Sequence, residues 1–390
     1  MIARLAGVAL AAGAAWIAYT YAGYPLVLWL RTRGRRRPVP QMPTKWPAIT
    51  VLIPVHNGAP MIGATLDAVL ALDYPADRRQ VLVVSDASSD ATDAIVAQYG
   101  ARGVELFRLE RRVGKTAAEN AALARVRGEI VVHTDAAIRL HPLAAKRLVA
   151  ALGDPTVGVA SGRDVSVASR DTDATLAESG YVGYEMWVRD LETRLGGIVG
   201  ASGSLSAIRR ELLVSLPPAL ARDFAAVLVA RERGYRAISV PEALCLVPRG
   251  ESLRREYHRK VRTMTRGLET LLDRRRLLDP RRDAVFAWML FSHKLCRWLA
   301  PWAGLVALVA LAVLAVSQAW ARWLALGAGA GALLGIAGWW WSGRGSAPRL
   351  LSIPGYLVAG AVATLQAWSN VARRDLAPAW EPTRRPAAPG

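Results

Sequence analysis

The stretch Ile49-Thr-Val-Leu-Ile-Pro-Val-His-Asn57 decides the fold class of this chain. It is a short run of apolar and β-branched residues that ends in polar residues, which is typical of a buried strand running into a loop. Two similar runs follow, and helical patterns fill the intervals: strands are predicted at Gln80–Ser85 and Glu129–Thr134, and helices at Met61–Leu72, Ala91–Tyr99 and Thr116–Val126. This alternation over residues 48–248 predicts an α/β domain with a parallel sheet and crossover helices, in which ligands bind at the carboxyl ends of the strands.

Acidic and basic residues follow these strands where a ligand is expected. Asp86 ends the second strand and Asp135 ends the third, while Lys115 lies in a basic loop between them. A carboxylate there can bind a nucleobase or a ribose. It can also serve as one of the few carboxylate ligands that a diphosphate-bound divalent cation needs. A lysine can offset charge on a leaving diphosphate. Taken alone, an aspartate after a strand is more often a helix cap or a turn residue than a ligand-binding residue. The phosphate-loop spacing is absent because position 109 is leucine.

Both ends of the chain are apolar. Residues 5–30 carry no charge and are followed by an arginine cluster, which favours an uncleaved N-terminal anchor (1–30) over a signal peptide, with a basic, proline-rich linker at 31–47. Residues 298–372 hold two or three further spans, at Leu299–Trp320, Trp323–Gly343 and Leu350–Ala372, before a tail at 373–390. The positive-inside rule puts the domain in the cytosol. A third C-terminal span would then leave Arg373, Arg374, Arg384 and Arg385 outside, so the number of spans stays open.

The positive charge of the chain is concentrated next to these apolar segments. The net charge is +19 although 53% of the residues are hydrophobic, and arginine is concentrated beside the apolar segments and in a basic block before them. This pattern favours basic amphipathic helices at 249–297 lying on membrane lipid, although a solvated charged helix would have the same composition. It does not favour a nucleic-acid partner, because no basic helix or aromatic-basic sheet motif of a nucleic-acid-binding type stands out. Cys245 and Cys296 are far apart and give no disulfide framework or zinc spacing.

Taken in order, these segments resemble the membrane-bound family 2 glycosyltransferases, whose fold is the GT-A type, a Rossmann-like nucleotide-diphospho-sugar domain, here joined to transmembrane helices. The resemblance covers about residues 48–300 and implies a role for each motif. The nucleotide and donor would be bound by Pro54, His56, Asn57, Asp86, Lys115 and Asp135, with Gly114 and Asn120 near the donor. Asp135 would also hold a divalent metal, Mg or Mn. The loop that begins Gly200-Ala-Ser-Gly203 would face the acceptor, through Gly200, Ser202 and Gly203.

The resemblance also implies a catalytic base. Family members carry an acidic pair opening a helix that ends in a Gly-Tyr-Arg turn, and Asp223 occupies the position of the base. Without the resemblance, Asp223 would be interpreted as a helix-dipole aspartate. Four departures stand out: Ala137 replaces a second metal-binding acid, Gly58 and Arg222 each replace a common acid, and a segment containing Arg259 and Arg262 replaces the Gln-x-x-Arg-Trp signature of processive synthases.

These motifs together predict an inverting transfer of a sugar from a UDP- or GDP-linked donor to a lipid-linked or polysaccharide acceptor. Arg259 and Arg262 either close over the donor diphosphate or hold their helix on lipid. The enzyme would be a multi-pass protein of the bacterial inner membrane with a cytosolic catalytic domain. Ala137 and Arg222 leave a second hypothesis open, a catalytically degenerate subunit that binds nucleotide sugars or scaffolds polysaccharide assembly. A transporter is disfavoured because the apolar segments have almost no polar residues inside them.

Overall fold

The computed structural model describes residues 1–37, 40, 42–167, 173–248, 253–341 and 348–375. The tail residues Arg384 and Arg385 lie outside the described residues. Within these ranges the strands are β1 Ile49–Val55, β2 Arg79–Ser85, β3 Val104–Arg108, β4 Ile130–Thr134, β5 Arg139–Leu140, β6 Val157–Val167, β7 Leu205–Arg209 and β8 Arg236–Pro248. The three strands predicted from the sequence correspond to β1, β2 and β4.

The strands form one sheet in the order β3-β2-β1-β4-β7-β6-β8-β5. Strands β1 to β4 pair in parallel, as the strand–helix alternation predicts. The prediction of a parallel sheet fails beyond β4, because β7 pairs antiparallel with both β4 and β6. The sheet is therefore mixed. Its parallel half brings the carboxyl ends of β1, β2 and β4 side by side at one edge of the sheet.

Helices cover both faces of this sheet. Within the described ranges they are α1 Ile2–Ala18, α2 Tyr24–Thr32, α3 Ala59–Leu70, α4 Thr92–Gln98, α5 Lys115–Ala122, α6 Ala144–Ala151, α7 Asp173–Leu195, α8 Arg222–Glu232, α9 Leu253–Asp273, α10 Ala284–Leu290, α11 Cys296–Ala315, α12 Ala319–Trp341 and α13 Arg349–Arg373. The helices predicted from the sequence correspond to α3, α4 and α5.

Strand β1 is buried on both sides because successive side chains point to opposite faces. Ile53 packs into a core with Leu66 of α3, while its neighbour Leu52 packs into a second core with Leu228 of α8 and Met289 of α10. Each fully buried side chain of this size contributes about 1.5–3 kcal/mol of hydrophobic stabilisation. The second core joins the sheet to α10, and so ties the α/β domain to the apolar C-terminal helices.

Four helical segments are long and apolar enough to cross a membrane: Ile2–Thr32, Ala284–Ala315, Ala319–Trp341 and Leu350–Arg373. The first two contain π-helical turns, Tyr19–Gly23 and Phe291–Leu295, and they pack against each other. Their contact is close because the residues are small: a Cβ at Gly13 would lie 2.6 Å from the carbonyl oxygen of Ala303. The described residues thus contain three apolar C-terminal segments, the upper number expected from the sequence.

Candidate active site

Asp86 organises the loop that carries Lys115. Its side chain is buried, and its two carboxylate oxygens accept hydrogen bonds from the backbone N–H groups of Val113 (2.7 Å) and Gly114 (2.8 Å). Gly114 has a φ of 89°, a conformation that favours glycine, and it directly precedes α5. His56, at the end of β1, contacts the backbone oxygen of Asp86 through Nδ1 at 2.7 Å. The Asp86 carboxylate therefore fixes the loop in front of Lys115.

The turns after β1 and β2 hold each other in a strained conformation. Asn57 and Ala87 both have a φ of 51°, which non-glycine residues rarely adopt. The Asn57 backbone N–H donates to Ser88 Oγ at 3.1 Å, and its side-chain oxygen accepts from the Ser89 backbone N–H at 2.8 Å. Such strain persists where the surroundings enforce it and is common at ligand sites. Pro54 lies earlier in β1, buried within the sheet.

Lys115 and Asp135 form an ion pair at the carboxyl end of β4. Lys115 Nζ lies 2.5 Å from Asp135 Oδ1, and about a quarter of each side chain is exposed (22% and 26%). Burial opposes the charge of Lys115, but the carboxylates of Asp135 and Glu119 outweigh it and raise the pKa of Lys115. The pair thus presents one fixed cation and one carboxylate to a ligand at this edge of the sheet.

Asp223 lies in the first turn of α8, where the helix dipole stabilises a carboxylate. A Cβ at Gly203 would lie 3.0 Å from Asp223 Oδ2. The negative charge of Asp223 also acts on Lys115 and on Arg266 of α9. The structure therefore brings Asp223, the Lys115–Asp135 pair and the Gly203 loop together. Asp86 is linked to this group because its carboxylate accepts a hydrogen bond from the backbone N–H of Gly114, next to Lys115.

The loop between Gly200 and Ser204 is anchored by Asp164 of β6, which sequence reasoning missed. Ser202 Oγ donates to Asp164 Oδ1 at 2.7 Å, and Ser204 Oγ donates to Oδ2 at 3.0 Å. The Ser202 backbone N–H donates to Ser161 Oγ at 2.8 Å. The Ser202 side chain therefore holds the loop in place, and the two glycines lie against Lys294 and Asp223.

Arg222, a departure from the family pattern, pairs with a buried glutamate of α5. Its Nε lies 2.9 Å from Glu119 Oε2, and both side chains are buried. Burial favours the neutral acid, but the hydrogen bond with His133 and the charges of Lys115 and Arg222 outweigh it and lower the pKa of Glu119 to about 2. Arg222 also bonds the side chain of Asn120. The ion pair holds the start of α8, and hence Asp223, against α5.

Asn120 and Arg266 also hold the start of α8 and the segment before it against α5. Asn120 exchanges two hydrogen bonds with the backbone of Leu216, so its side chain is engaged in the protein. Arg266 of α9 donates to Thr116 Oγ1 at 2.6 Å and to the carbonyl oxygen of Leu220 at 2.7 Å. Burial lowers the pKa of Arg266, against the opposing charges of Asp223 and Glu119. A helix that sequence reasoning assigned to lipid contact therefore also touches the candidate site.

Arg259 and Arg262 lie on the same helix, further from Lys115. Arg259 forms an ion pair with Glu256, one turn earlier, at 2.6 Å. Burial disfavours its charge, but Glu256 and, more weakly, Asp164 raise the pKa of Arg259. Arg259 is thus on the side of Asp164, which anchors the Gly200–Ser204 loop, and Arg262 is half-buried. Donor binding by either residue stays a prediction.

A mixed sheet with a parallel half of this kind is the architecture of the GT-A glycosyltransferase fold. Residues 50–216 match the family model of glycosyl transferase family 2. The chain accordingly carries a family 2 glycosyltransferase domain over these residues.

Individual relatives agree with this class. An N-acetylglucosaminyltransferase of Rhizobium sp. (strain N33) is 28% identical over 52% of this chain and 48% of the relative. A beta-monoglucosyldiacylglycerol synthase of Synechocystis sp. is 26% identical over 43% of this chain and 36% of the relative. The chain spans about half or less of the length of these curated relatives. A solved structure, the mannosyltransferase PcManGT from Pyrobaculum calidifontis in complex with GDP-Man and Mn²⁺, is 27% identical, with a TM-score of 0.72 over 92% of this chain and 99% of that chain.

Proposed function

We propose that this chain transfers a sugar from a nucleotide-sugar donor to a hydroxyl of a lipid-linked or polysaccharide acceptor, with inversion at the anomeric carbon. The observation that carries the proposal is the position of Asp223, whose carboxylate faces Gly203 and whose charge acts on Lys115. A base and a diphosphate-binding cation are thus close enough to act on one sugar. The relative that synthesises a glycolipid supports a lipid acceptor, and the neighbour that binds GDP-Man supports a GDP-linked donor, with a UDP-linked donor as the alternative.

In this mechanism Asp223 accepts the proton of the acceptor hydroxyl. The freed oxygen attacks the anomeric carbon from the face opposite the diphosphate and forms the new glycosidic bond. The bond between the sugar and the diphosphate breaks, and the nucleoside diphosphate leaves with the electron pair. Lys115 offsets the charge that develops on the leaving group. The Arg222–Glu119 pair keeps Asp223 in position through the start of α8.

The residues at the end of β4 fit a divalent cation held jointly with the donor. Among the described residues, no three His, Cys, Asp or Glu side chains are grouped so as to hold a metal by themselves. Mg²⁺ and similar ions need only one or two carboxylates when diphosphate oxygens and water supply the other ligands. Asp135 would supply that carboxylate, and the bound cation would neutralise diphosphate charge. Ala137 offers no second ligand, so donor and metal are expected to bind together.

We also propose a membrane arrangement with three spans, from α1–α2, α11 and α12, and a cytosolic catalytic domain in the bacterial inner membrane. Arg31, in the last turn of α2, and Arg33, Arg35 and Arg36, which follow the helix, favour this orientation. The last apolar helix, α13, would lie along the inner interface.

The two ends of α13 support this arrangement. Near its start, a Cβ at Gly338, close to the end of α12, would touch the carbonyl oxygen of Leu351. Near its end, Trp368 Nε1 donates to the carbonyl oxygen of Trp298, at the start of α11, at 2.9 Å. In an antiparallel α11–α12 pair, the start of one helix and the end of the other are on the same membrane side. Both ends of α13 therefore lie on the same side of the membrane.

The side of α13 facing α9 supports the same arrangement. Lys260 of α9 lies 3.3 Å from the ring centroid of Tyr356. Thr364 of α13 contacts Met264, and Asn370 lies 3.5 Å from Thr265. A helix as charged as α9 is costly to place in hydrocarbon, so α13 beside it belongs at the interface. This keeps Arg373 and Arg374 on the cytosolic side and removes the conflict with the positive-inside rule.

Cysteine labelling tests the orientation. Cys245 and Cys296 are buried, so single exposed cysteines can be introduced as Gln318→Cys, after α11, and Asp375→Cys, after α13. A membrane-impermeant maleimide should label position 318 in intact cells and position 375 only after permeabilisation. Labelling of position 375 in intact cells would refute the interfacial assignment of α13.

A donor screen tests the reaction itself. Purified protein in detergent is incubated with a panel of UDP- and GDP-sugars and Mn²⁺, and released nucleoside diphosphate is measured for each. We expect release with one sugar class, increased by added lipid acceptor. Donor binding without release from any sugar would instead support the degenerate nucleotide-sugar-binding alternative.

A further inference from the structure

Lys294 lies where the catalytic domain meets the first apolar C-terminal segment. It belongs to the π-helical turn Phe291–Leu295, a type of helix irregularity that is frequent at functional sites. A Cβ at Gly200 would lie 2.9 Å from its Nζ and 3.0 Å from its Cε. The amine also lies 5.5 Å from the ring centroid of Phe224, the residue after Asp223. The ammonium group therefore faces the same glycine loop as the proposed base.

The neighbouring basic side chains are paired with carboxylates. His293 contacts Glu192 through Nδ1 at 2.6 Å and Glu185 through Nε2 at 3.0 Å. Arg297 Nη1 pairs with Glu185 Oε2 at 2.6 Å. Lys294, between them, forms no ion pair within the part of the chain that the structure describes. Among the described residues, Lys294 is therefore the basic side chain of this helical turn that has no carboxylate partner, and its amine lies against Gly200.

An ammonium group at a partly buried position is costly unless an anion or several acceptors compensate it. Gly200 has no side chain, and this lets the Lys294 amine lie directly against the loop. The same loop reaches Asp223 at Gly203, three residues further on. Three extended residues span at most about 10 Å. A ligand with an anionic group at Lys294 could therefore present a hydroxyl group to Asp223.

The direction of the helix indicates where that ligand comes from. Lys294 leads directly into α11, whose outer surface exposes Trp302 and Leu305. A tryptophan at the start of an apolar helix is typical of the headgroup level of a membrane. Phosphate is the anion of lipid headgroups at the inner leaflet.

We propose that Lys294 binds the phosphate of a phosphate-bearing lipid acceptor and so selects it over neutral lipids. This inference rests on the proposed function for its acceptor role, whereas the phosphate site can be measured without turnover. Lys294 would hold the acceptor from the membrane side while Asp223 meets its hydroxyl group.

A binding experiment tests the site. Full-length protein in non-ionic detergent is titrated with dihexanoyl phosphatidylglycerol, with dihexanoylglycerol as the neutral lipid and with glycerol 3-phosphate as the soluble phosphate ester. The wild type should bind the phospholipid at least about tenfold more tightly than either other probe. Lys294→Met should remove that preference and leave dihexanoylglycerol binding unchanged, whereas Lys294→Arg should retain it. Lys45→Met, which removes the same charge at an exposed position, should behave as the wild type.

The outcomes separate this inference from the proposed function. GDP-mannose binding with Mn²⁺ should be unchanged in Lys294→Met, which also checks that the variant is folded. Equal binding of the charged and neutral lipids, or an unchanged preference in Lys294→Met, would overturn the phosphate site while leaving sugar transfer intact. Equally tight binding of glycerol 3-phosphate would overturn the lipid assignment. Absence of nucleotide-sugar turnover beside a Lys294-dependent preference would count against the proposed function alone.

Discussion

A single methyl group at Gly203 should disturb the proposed base without disturbing the fold. The Cβ of Gly203→Ala would lie 3.0 Å from Asp223 Oδ2, closer than carbon and oxygen normally approach. The backbone of Gly203 is outside the left-handed region, so alanine is tolerated there. The carboxylate must then shift by a few tenths of an ångström. Since a misplacement of about 1 Å can cost about 100-fold in rate, this smaller shift should lower kcat about tenfold, or about 1.4 kcal/mol in activation free energy.

The assay is steady-state release of nucleoside diphosphate with the donor identified by the screen. The donor KM and the thermal unfolding midpoint should stay near the wild-type values, because the donor contacts and the core are untouched. Gly100→Ala is the matched control, since a Cβ at Gly100 meets no atom within 4 Å. A wild-type kcat in Gly203→Ala, or an equal loss in Gly100→Ala, would refute the reasoning that Asp223 must sit at this point.

Three further predictions concern the support of the site. Arg222→Met should destabilise the protein by about 3–5 kcal/mol in chemical unfolding, because it leaves Glu119 buried without its partner, and the double variant with Glu119→Gln should recover most of that loss. The pKa of Glu119 is lowered from 4.5 to about 2, so its contribution to stability is complete above pH 4.5 and is lost as the pH falls towards 2; unfolding of Glu119→Gln should depend less on pH in this window, and an unchanged slope would contradict the assignment. Arg266→Met should lower kcat with little change in donor KM, since Arg266 bonds Leu220 just before α8, and an unaffected kcat would show that this contact does not position Asp223.

The sequence allowed the parallel half of the sheet to be predicted because its signals are local. Strand β1 is an uninterrupted run of buried residues, and the alternation of strand and helix fixes parallel pairing with β2 and β4. Strand β7 carries no such signal. It is short, follows a loop of small residues, and its antiparallel pairing between β4 and β6 depends on partners far along the chain.

The residues of the candidate site also differ in whether the sequence allowed them to be predicted. Asp86 and Asp135 stand at strand ends that the sequence marks, so they could be named in advance, whereas Asp223 was named from the family resemblance. Glu119 lies in the helical run after Lys115 and reads as a surface charge; only the packing of α8 on α5 reveals its pairing with Arg222. Arg266 and Lys294 were hidden because the charge pattern of their helices is equally well explained by lipid contact.

Asp223→Asn tests the central claim most directly. The amide keeps the shape of the side chain but cannot accept the acceptor proton, so kcat for sugar transfer should fall by about 100- to 10,000-fold while donor binding is retained. Asp77→Asn, a change of the same kind at a side chain that is 80% exposed, should leave kcat unchanged. Near-wild-type transfer by Asp223→Asn would contradict the assignment of Asp223 as the base of the proposed sugar transfer.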